Sequence, residues 1–172
     1  MRVLRLLTVF LYLLAAGDAL AQKVAVDYDH SLDFSRFKTY SWHKVKAGNT
    51  LWEQRITDQV DKDLQAKGWR RTTDGQVMLT AVGSTQNRKE YETFYNGMPG
   101  WGWHHIGASS TTTVENYRTG TLVLDMYDAS SHRLLWRGTA RDVLADNPDK
   151  NVKKLDKAID KLLHKFPPNG KR

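Results

Sequence analysis

The 172-residue sequence contains no cysteine, and beyond its first twenty residues it contains no long apolar run. Disulfide bonds are therefore excluded, so an exported protein of this size must be stable without them. The acceptor for a bacterial lipid anchor is excluded as well, since that anchor is attached to a cysteine. A membrane-spanning helix needs ~20 apolar residues, and no later segment approaches that length.

Recognisable catalytic and cofactor motifs are also missing. No serine lies in a G-x-S-x-G turn, and the G-W-G at residues 100–102 does not continue as G-x-G-x-x-G. The histidines and carboxylates lack the spacing typical of zinc ligands. We therefore expect no enzyme activity, no cofactor and no bound metal. A hydrolase or metal-dependent enzyme that uses His and Asp groups remains the alternative.

Residues 1–21 have the order typical of a secretory signal peptide. Arg2 and Arg5 precede an apolar run from Leu6 to Ala16, and small residues surround Ala21. We predict cleavage after Ala21 and a periplasmic or secreted protein that begins at Gln22 and carries no lipid anchor. An uncleaved membrane anchor is the alternative.

The formal net charge of +7 indicates anionic partners. Such a charge in a cytoplasmic protein would indicate nucleic acid. For an exported protein, no nucleic acid is expected, and weak contact with an anionic membrane or lipopolysaccharide surface is the more natural prediction. Oligomeric state does not follow from the sequence.

Alternating apolar and polar residues predict five strands. They lie at about residues 24–28, 39–45, 77–82, 122–127 and 134–139. In the last strand, Leu134, Trp136 and Gly138 are expected to share one face. The "DASSHR" turn makes the last two strands a hairpin.

Two amphipathic segments predict helices. Thr50 and Glu53 have capping-box spacing at the start of the first helix, and Gly68 can end it in the left-handed conformation. The second helix has Asn147 as its N-cap and Pro148 at its first position. Apolar residues of the second helix cluster on one side. The opposite side carries a stripe of lysines, for which a solvated face is the default interpretation: Lys150, Lys154, Lys157, Lys161 and Lys165.

The element order predicts an α+β domain. Residues 22–172 read as one domain with the order β-β-α-β-β-β-α and a long Gly/Trp-rich hairpin loop at about residues 95–110. Short connections favour an antiparallel sheet with both helices packed on one face.

Two stretches resemble a known bacterial family. They are "VDYDHSLDFSRFKTYSW" and "GTLVLDMYDASSHRLLWRGTA". With the helix and glycine-rich insertion between them, they are similar to the envelope proteins grouped as domain of unknown function 4136. The resemblance implies a compact, exported α+β domain that is often a lipoprotein, and it implies no activity, catalytic residue or cofactor. This sequence lacks the lipoprotein cysteine.

The candidate binding residues lie at the hairpin tip. Trp101 and Trp103 alternate, so an extended backbone would direct both side chains the same way, where they could stack on a sugar or enter a partner's pocket. His104 and His105 follow them. We therefore expect an envelope protein or glycan to bind the tip. The alternatives are a tip that folds back on its own tryptophans or is mobile.

An acidic group near Tyr28 allows two interpretations. Asp27, Asp29 and Asp33 could form a calcium or catalytic carboxylate cluster, or they could serve a strand and the turn after it. The turn interpretation is preferred. Taken together, the sequence predicts a non-enzymatic binding or accessory module of the bacterial envelope, with a purely structural domain as a further alternative.

Overall fold

The computed structural model describes residues 22–95 and 110–167, which form one sheet and two helices. In chain order the elements are β1 (Lys23–Tyr28), a 3-10 turn (Phe34–Arg36), β2 (Thr39–Lys46), α1 (Thr50–Ala66), β3 (Arg70–Arg71), β4 (Val77–Tyr95), β5 (Ser110–Asp128), β6 (Leu134–Val143) and α2 (Pro148–His164). The α+β class is therefore confirmed.

The six-stranded sheet is mixed, with the spatial order β1-β6-β5-β4-β2-β3. Strands β1, β6, β5 and β4 pair antiparallel, whereas β2 pairs parallel with both β4 and β3. The predicted antiparallel sheet is wrong on this side, and the predicted order lacked β3. The physical reason is that α1 returns the chain from the end of β2 to the start of β4, and such a crossover produces parallel pairing.

Both helices begin at side-chain caps. Asn147 is the N-cap of α2, as predicted, and accepts hydrogen bonds from Asp149 N and Lys150 N. The cap of α1 is Asn49 rather than the predicted Thr50, and its side chain accepts from Trp52 N at 3.1 Å. At the other end of α1, Gly68 has the expected positive φ of 81°.

The core lies between the helices and one face of the sheet. At the C-terminal ends of the helices, large side chains fill this space, including Tyr40, Trp136 and Phe166. The Phe166 ring packs edge-on against Trp69 and Trp136, with centroids 5.3 and 5.5 Å apart. The two helices therefore rest on a well-filled aromatic cluster at this end of the sheet.

The hairpin of β5 and β6 is confirmed, but the predicted face of one residue is wrong. A register shift between Met126 and Tyr127 lets Leu135 turn inward, where it is 4% exposed. Leu134 is 41% exposed instead. An extra residue in one strand reverses which side chains point inward beyond that residue. A strict period of two does not predict this reversal.

The part of the chain that the structure describes contains no helix with enough consecutive apolar residues to span a bilayer.

Asp63 in α1 is a partly buried carboxylate with one unsatisfied oxygen. Its Oδ1 accepts a hydrogen bond from Gln59 Nε2 at 3.0 Å, while Oδ2 is buried without a hydrogen-bond partner among the described residues. Burial is the main cause that raises the pKa of Asp63 above its usual value, and the Asp160 carboxylate adds to the effect.

The raised pKa predicts the pH dependence of an Asp63→Asn variant. A carboxyl group with a raised folded-state pKa favours folding while it is protonated, and this contribution is lost as the pH rises through that pKa. We expect Asp63→Asn to raise the unfolding free energy at neutral pH by less than about 1 kcal/mol, since solvent screens this part-exposed site, and to lose the gain in acid. Urea unfolding at both pH values measures this. Asp58→Asn, at an exposed site on the same helix, is the control, and an equal gain at both pH values would contradict the interpretation.

Candidate functional site

The predicted binding residues at the hairpin tip lie outside the residues that the structure describes. Trp101, Trp103, His104 and His105 therefore remain a prediction. The ribbon that leads to them is described, with β4 and β5 paired as far as Tyr95 and Ser110. Because β5 pairs with β6 only as far as Thr119, the ribbon continues beyond the sheet by roughly 30 Å at ~3.3 Å per residue.

The N-terminal aspartates serve local turns, as the preferred interpretation held. Asp29 accepts hydrogen bonds from Ser31 N and Oγ, and Asp33 accepts from Ser35 N at the start of the 3-10 turn. The hydrogen bonds from Ser31 to Asp29 and from Ser35 to Asp33, with the serine side chain the larger contributor in each, are the main cause that lowers the pKa of both carboxyls. Asp27 accepts from Tyr28 N. Asp29 also accepts a hydrogen bond from Arg133 Nη2 at 3.1 Å, so each of these carboxylates is engaged by a protein donor.

A groove of about 720 Å³ lies at the opposite end of the sheet from the aromatic cluster. Its floor is the sheet face beneath the N-terminal ends of the helices, where three neighbouring strands carry small residues. Gly83 of β4 pairs with Leu122 of β5, which pairs with Ala140 of β6, and Gly120 lies two positions along β5. These small residues leave room that large side chains fill at the other end, and the Leu144 side chain takes the part of it over Gly120.

The walls of the groove are the N-terminal parts of both helices. Trp52 and Ile56 of α1 form one wall, and Leu155 and Ala158 of α2 form the other. Leu144, which precedes α2, lies against the floor, since a Cβ added at Gly120 would be 2.8 Å from Leu144 Cδ2. The lining is therefore largely apolar, as in most ligand pockets.

Side chains of the helices fix the two loops that border the groove. Glu53 of α1 accepts a hydrogen bond from Ala47 N at 3.1 Å. Asn151 of α2 accepts from Ala145 N and donates to the Ala145 carbonyl, both at 2.8 Å. Each loop is thus tied to the helix that follows it, so the groove is preformed rather than dependent on a ligand to order its walls.

The rim of the groove carries two basic and two acidic side chains, Arg118 and Lys154 with Asp142 and Asp146. Lys46 and Arg141 also border the groove, but their strand positions direct their side chains to the opposite face of the sheet. Lys154 is already held by Asp142 at 3.4 Å and by the Val143 carbonyl. These contacts correct the sequence interpretation, in which Lys154 belonged to a purely solvated lysine stripe.

Arg118 is the rim cation with the weaker partner. It lies 3.5 Å from Asp146, whose side chain is fully exposed, and exposed pairs of this kind contribute little. Arg141 shares the sheet face without helices with Arg137, four positions earlier in β6, so its side chain is not part of the rim.

A second polar cluster, centred on Asp61 of α1, joins the helix to the sheet. Tyr40 OH and Trp42 Nε1 donate to Asp61 Oδ1, and Arg71 Nη1 donates to Oδ2, each at 2.9 Å. Burial and Asp61 both raise the pKa of Tyr40, with burial the larger cause. Because its acceptors are occupied by protein donors, this cluster is suited to stability rather than to chemistry.

On the sheet face without helices, Asp125 forms an ion pair with Arg137. Arg137 Nε and Nη2 each donate at 2.7 Å to one Asp125 oxygen, and Tyr127 OH donates at 3.2 Å. Within residues 22–95 and 110–167, no group of three or more His, Cys, Asp or Glu side chains converges in a way that could hold a metal ion.

Sequence reasoning missed the groove. A usable signal was present, since small residues occupy inward positions of three strands at Gly83, Gly120 and Ala140. The sequence does not show that these positions adjoin, because they lie up to 57 residues apart in the numbering and meet only through strand pairing.

Comparisons with known proteins give a family and a fold. The family model described as "Domain of unknown function (DUF4136)" matches residues 24–168. No curated protein sequence matches the chain significantly.

Two solved structures share the fold at low sequence identity. A PDZ domain protein from Parabacteroides distasonis is similar with a TM-score of 0.58 and 16% identity, over 86% of this chain and 35% of that one. A PelC dodecamer from Paraburkholderia phytofirmans is similar with a TM-score of 0.51 and 11% identity, over 83% of this chain and 95% of that one. This chain thus spans about a third of the first protein's length. Identities this low show a common fold, which by itself assigns no function.

Proposed function

The chain belongs to the DUF4136 family, and from that premise we propose that it is an exported, non-enzymatic binding or accessory module of the bacterial envelope. The binding surface in this proposal is the groove between the helix ends and the sheet. The preformed, apolar groove of about 720 Å³ is the observation that carries the proposal.

The size and lining of the groove support a binding role. Ligand pockets are typically about 300–1,000 Å³ and mostly apolar, with a few polar groups that orient the ligand. Here the apolar floor and walls are bordered by two polar pairs, Arg118 with Asp146 and Lys154 with Asp142. The loops on both sides are held by Glu53 and Asn151, so little ordering would oppose binding.

The chemistry of the lining supports binding more than catalysis. Its carboxylates are Asp142 and Asp146, and each lies beside a basic side chain. Among the described residues that line the groove there is no histidine, the usual general base of hydrolysis. Binding of a partner in the groove requires a complementary shape but no catalytic side chain.

Export is supported by the signal-peptide pattern in residues 1–21. We expect the protein from its native host to begin at Gln22 and to appear in the periplasmic or secreted fraction without lipid. Intact-mass measurement with N-terminal sequencing tests both points. A chain that still begins at Met1 in the membrane fraction would contradict export by cleavage.

The binding role is tested by what accompanies the protein. The protein is recovered from the envelope of its native host, and the proteins, lipids and glycans that remain with it are identified by mass spectrometry. Two variants are run in parallel. Gly83→Leu fills the groove floor, where a Cβ meets only ordinary contacts of 3.4 Å with Ala47 and 3.5 Å with Ile56. The second variant replaces Trp101, Trp103, His104 and His105 with alanine.

We expect a companion with the wild type and the tip variant, and none with Gly83→Leu. Circular dichroism checks that both variants are folded. If the companion is lost only from the tip variant, the groove proposal is wrong and the tip is the binding surface. If the wild type carries no companion that either variant loses, neither surface binds in the native envelope.

A further inference from the structure

The first strand, β1, has one edge without a neighbouring strand. Among the described strands, β1 lies at the end of the sheet and pairs with β6 alone. Its six residues follow one unbroken register, without a bulge or a proline. An edge of this kind presents unpaired backbone donors and acceptors to another chain.

The opposite edge of the sheet is blunted. There β3 is two residues long, and β2 has a register shift between Trp42 and Lys44, with Lys44 and Lys46 exposed. Short edge strands and bulges are devices by which proteins prevent edge-to-edge pairing. The β1 edge has neither device.

The backbone groups that face the free edge belong to alternate residues. Asp29 N donates to the Leu135 carbonyl beside β6, so odd-numbered residues of β1 direct their N–H and C=O groups toward β6. The N–H and C=O groups of Val24 and Val26 therefore point away from the sheet. They provide two donors and two acceptors for a further strand.

Antiparallel pairing of this edge with a second copy has a register that also matches charge. Residues with outward backbone groups must face one another, so Val24 pairs with the partner's Val26. Ala25 then lies opposite the partner's Ala25, and Lys23 lies opposite the partner's Asp27. Each of these contacts except the central one occurs twice. In a register shifted by two residues either way, Lys23 no longer faces Asp27.

Within one copy, Lys23 and Asp27 have no ion-pair partner among the described residues, and both are exposed. Lys23 lies opposite Arg141 in β6, so its cross-strand neighbour is another cation. Asp27 Oδ1 accepts from Tyr28 N, which leaves its second oxygen for a lysine. Opposite charges directly across two strands are stabilising, and like charges are destabilising.

Space for a strand is present beside β1 on the helix side. A cleft of about 510 Å³ lies there, lined by Gln22, Val24 and four residues at the end of α2: Asp160, Lys161, His164 and Lys165. The helix therefore leaves this part of the edge accessible. Because the cleft has more basic than acidic side chains, contact between two copies of α2 would add little attraction, and strand pairing must supply the affinity.

We propose that β1 pairs antiparallel with β1 of a second copy, which joins two six-stranded sheets edge to edge with Ala25 at the two-fold axis. The inference does not depend on the proposed function. Pairing of six residues a side forms a smaller contact than a standard interface, so the dimer should be weak, with a Kd on the order of 100 µM.

A cysteine at the axis tests the register. Ala25 is exposed, and the chain contains no cysteine. In the proposed dimer the two Ala25 Cα atoms lie ~4.5 Å apart, which a disulfide can bridge. We expect Ala25→Cys to form a linked dimer on a non-reducing gel after mild oxidation. Lys23→Cys is the matched control and should stay monomeric, since its two copies lie roughly 13 Å apart along the strands.

Reversed charges test the contact between Lys23 and Asp27. Lys23→Asp places two carboxylates opposite each other, and Asp27→Lys places two lysines there, so each variant alone should weaken the dimer at least tenfold in sedimentation equilibrium. An equal mixture of the two variants should form a heterodimer as stable as the wild-type dimer, because every pair again joins opposite charges. Lys44→Asp, at an exposed position near the other edge, should change the Kd by less than twofold.

Four results would overturn the inference. They are a wild-type protein that stays monomeric at millimolar concentration, equal cross-linking of Ala25→Cys and Lys23→Cys, a dimer unchanged by either charge reversal, and a mixture of the two reversed variants that stays monomeric. Circular dichroism confirms that each variant is folded. The groove does not enter these measurements, so their outcome leaves the test of the proposed function unaffected.

Discussion

Trp136→Ala is expected to lower the unfolding free energy by about 3–5 kcal/mol, the usual cost of removing a buried aromatic side chain. Trp136 is fully buried on β6. Its indole lies over Gly138, and a Cβ added at Gly138 would contact the indole and would lie 2.9 Å from Leu162 Cδ2. The Phe166 ring, 5.5 Å away between centroids, encloses it from the end of α2. The cavity left by alanine would therefore lie where α2 rests on the sheet.

Thermal and urea unfolding followed by circular dichroism measure this effect. For a domain of this size the loss corresponds to a fall in Tm on the order of 10 °C. Trp136→Phe is the informative partner variant. The indole N–H is buried without a hydrogen-bond partner among the described residues, so phenylalanine removes an unsatisfied donor while it keeps an aromatic ring.

We expect Trp136→Phe to cost roughly half as much as the alanine variant, about 1–2.5 kcal/mol, because phenylalanine keeps one ring and leaves a smaller cavity. A phenylalanine variant as unstable as the alanine variant would contradict the packing described here. It would mean that the N–H makes an essential interaction.

Asp61→Ala is expected to be nearly as harmful, at about 2–4 kcal/mol, because it leaves buried donors without an acceptor. Tyr40 is fully buried and its OH donates to Asp61, as does Trp42 Nε1 from the same strand. Removing the carboxylate takes the acceptor from both at once. The junction between α1 and β2 would be the first part of the structure to loosen.

Three further variants separate the buried hydrogen bonds from the exposed charge pair. Arg71→Ala removes a donor whose side chain is 51% exposed, so it should cost under about 1 kcal/mol. Asp61→Asn keeps one acceptor oxygen and should fall between the two, while Asp58→Ala controls for a substitution at an exposed site of α1. Unfolding free energies from urea titration decide the order. If Arg71→Ala costs as much as Asp61→Ala, the ion pair rather than the buried donors stabilises the junction.

Local signals in the sequence were reliable where the structure depends on neighbours in the chain. Asn147 and Pro148 begin α2 as predicted, and Gly68 ends α1 in the left-handed conformation. Asp33 caps the turn after β1. Each of these is a hydrogen bond or dihedral preference within a few residues, so the residue types alone predict it.

Errors of one residue arose where two local solutions compete. Asn49 and Thr50 can both cap a helix, and the structure uses Asn49. Glu53 still reaches back toward the preceding loop, but it accepts from Ala47 N. Similarly, Leu134 and Leu135 are both suited to the core, and the register shift near Met126 decides that Leu135 is buried.

The sequence by itself determined the α+β class, the two helices, the hairpin of β5 and β6 and the family, because backbone periodicity and capping are set by residues close together in the chain. Only the tertiary structure decided that β2 runs parallel to β4, that Asp61 gathers donors from β2 and from Arg71, and that small residues of three strands form one groove. These features join positions far apart in sequence. They depend on which strands become neighbours when the helices cover the sheet, and no local pattern encodes that choice.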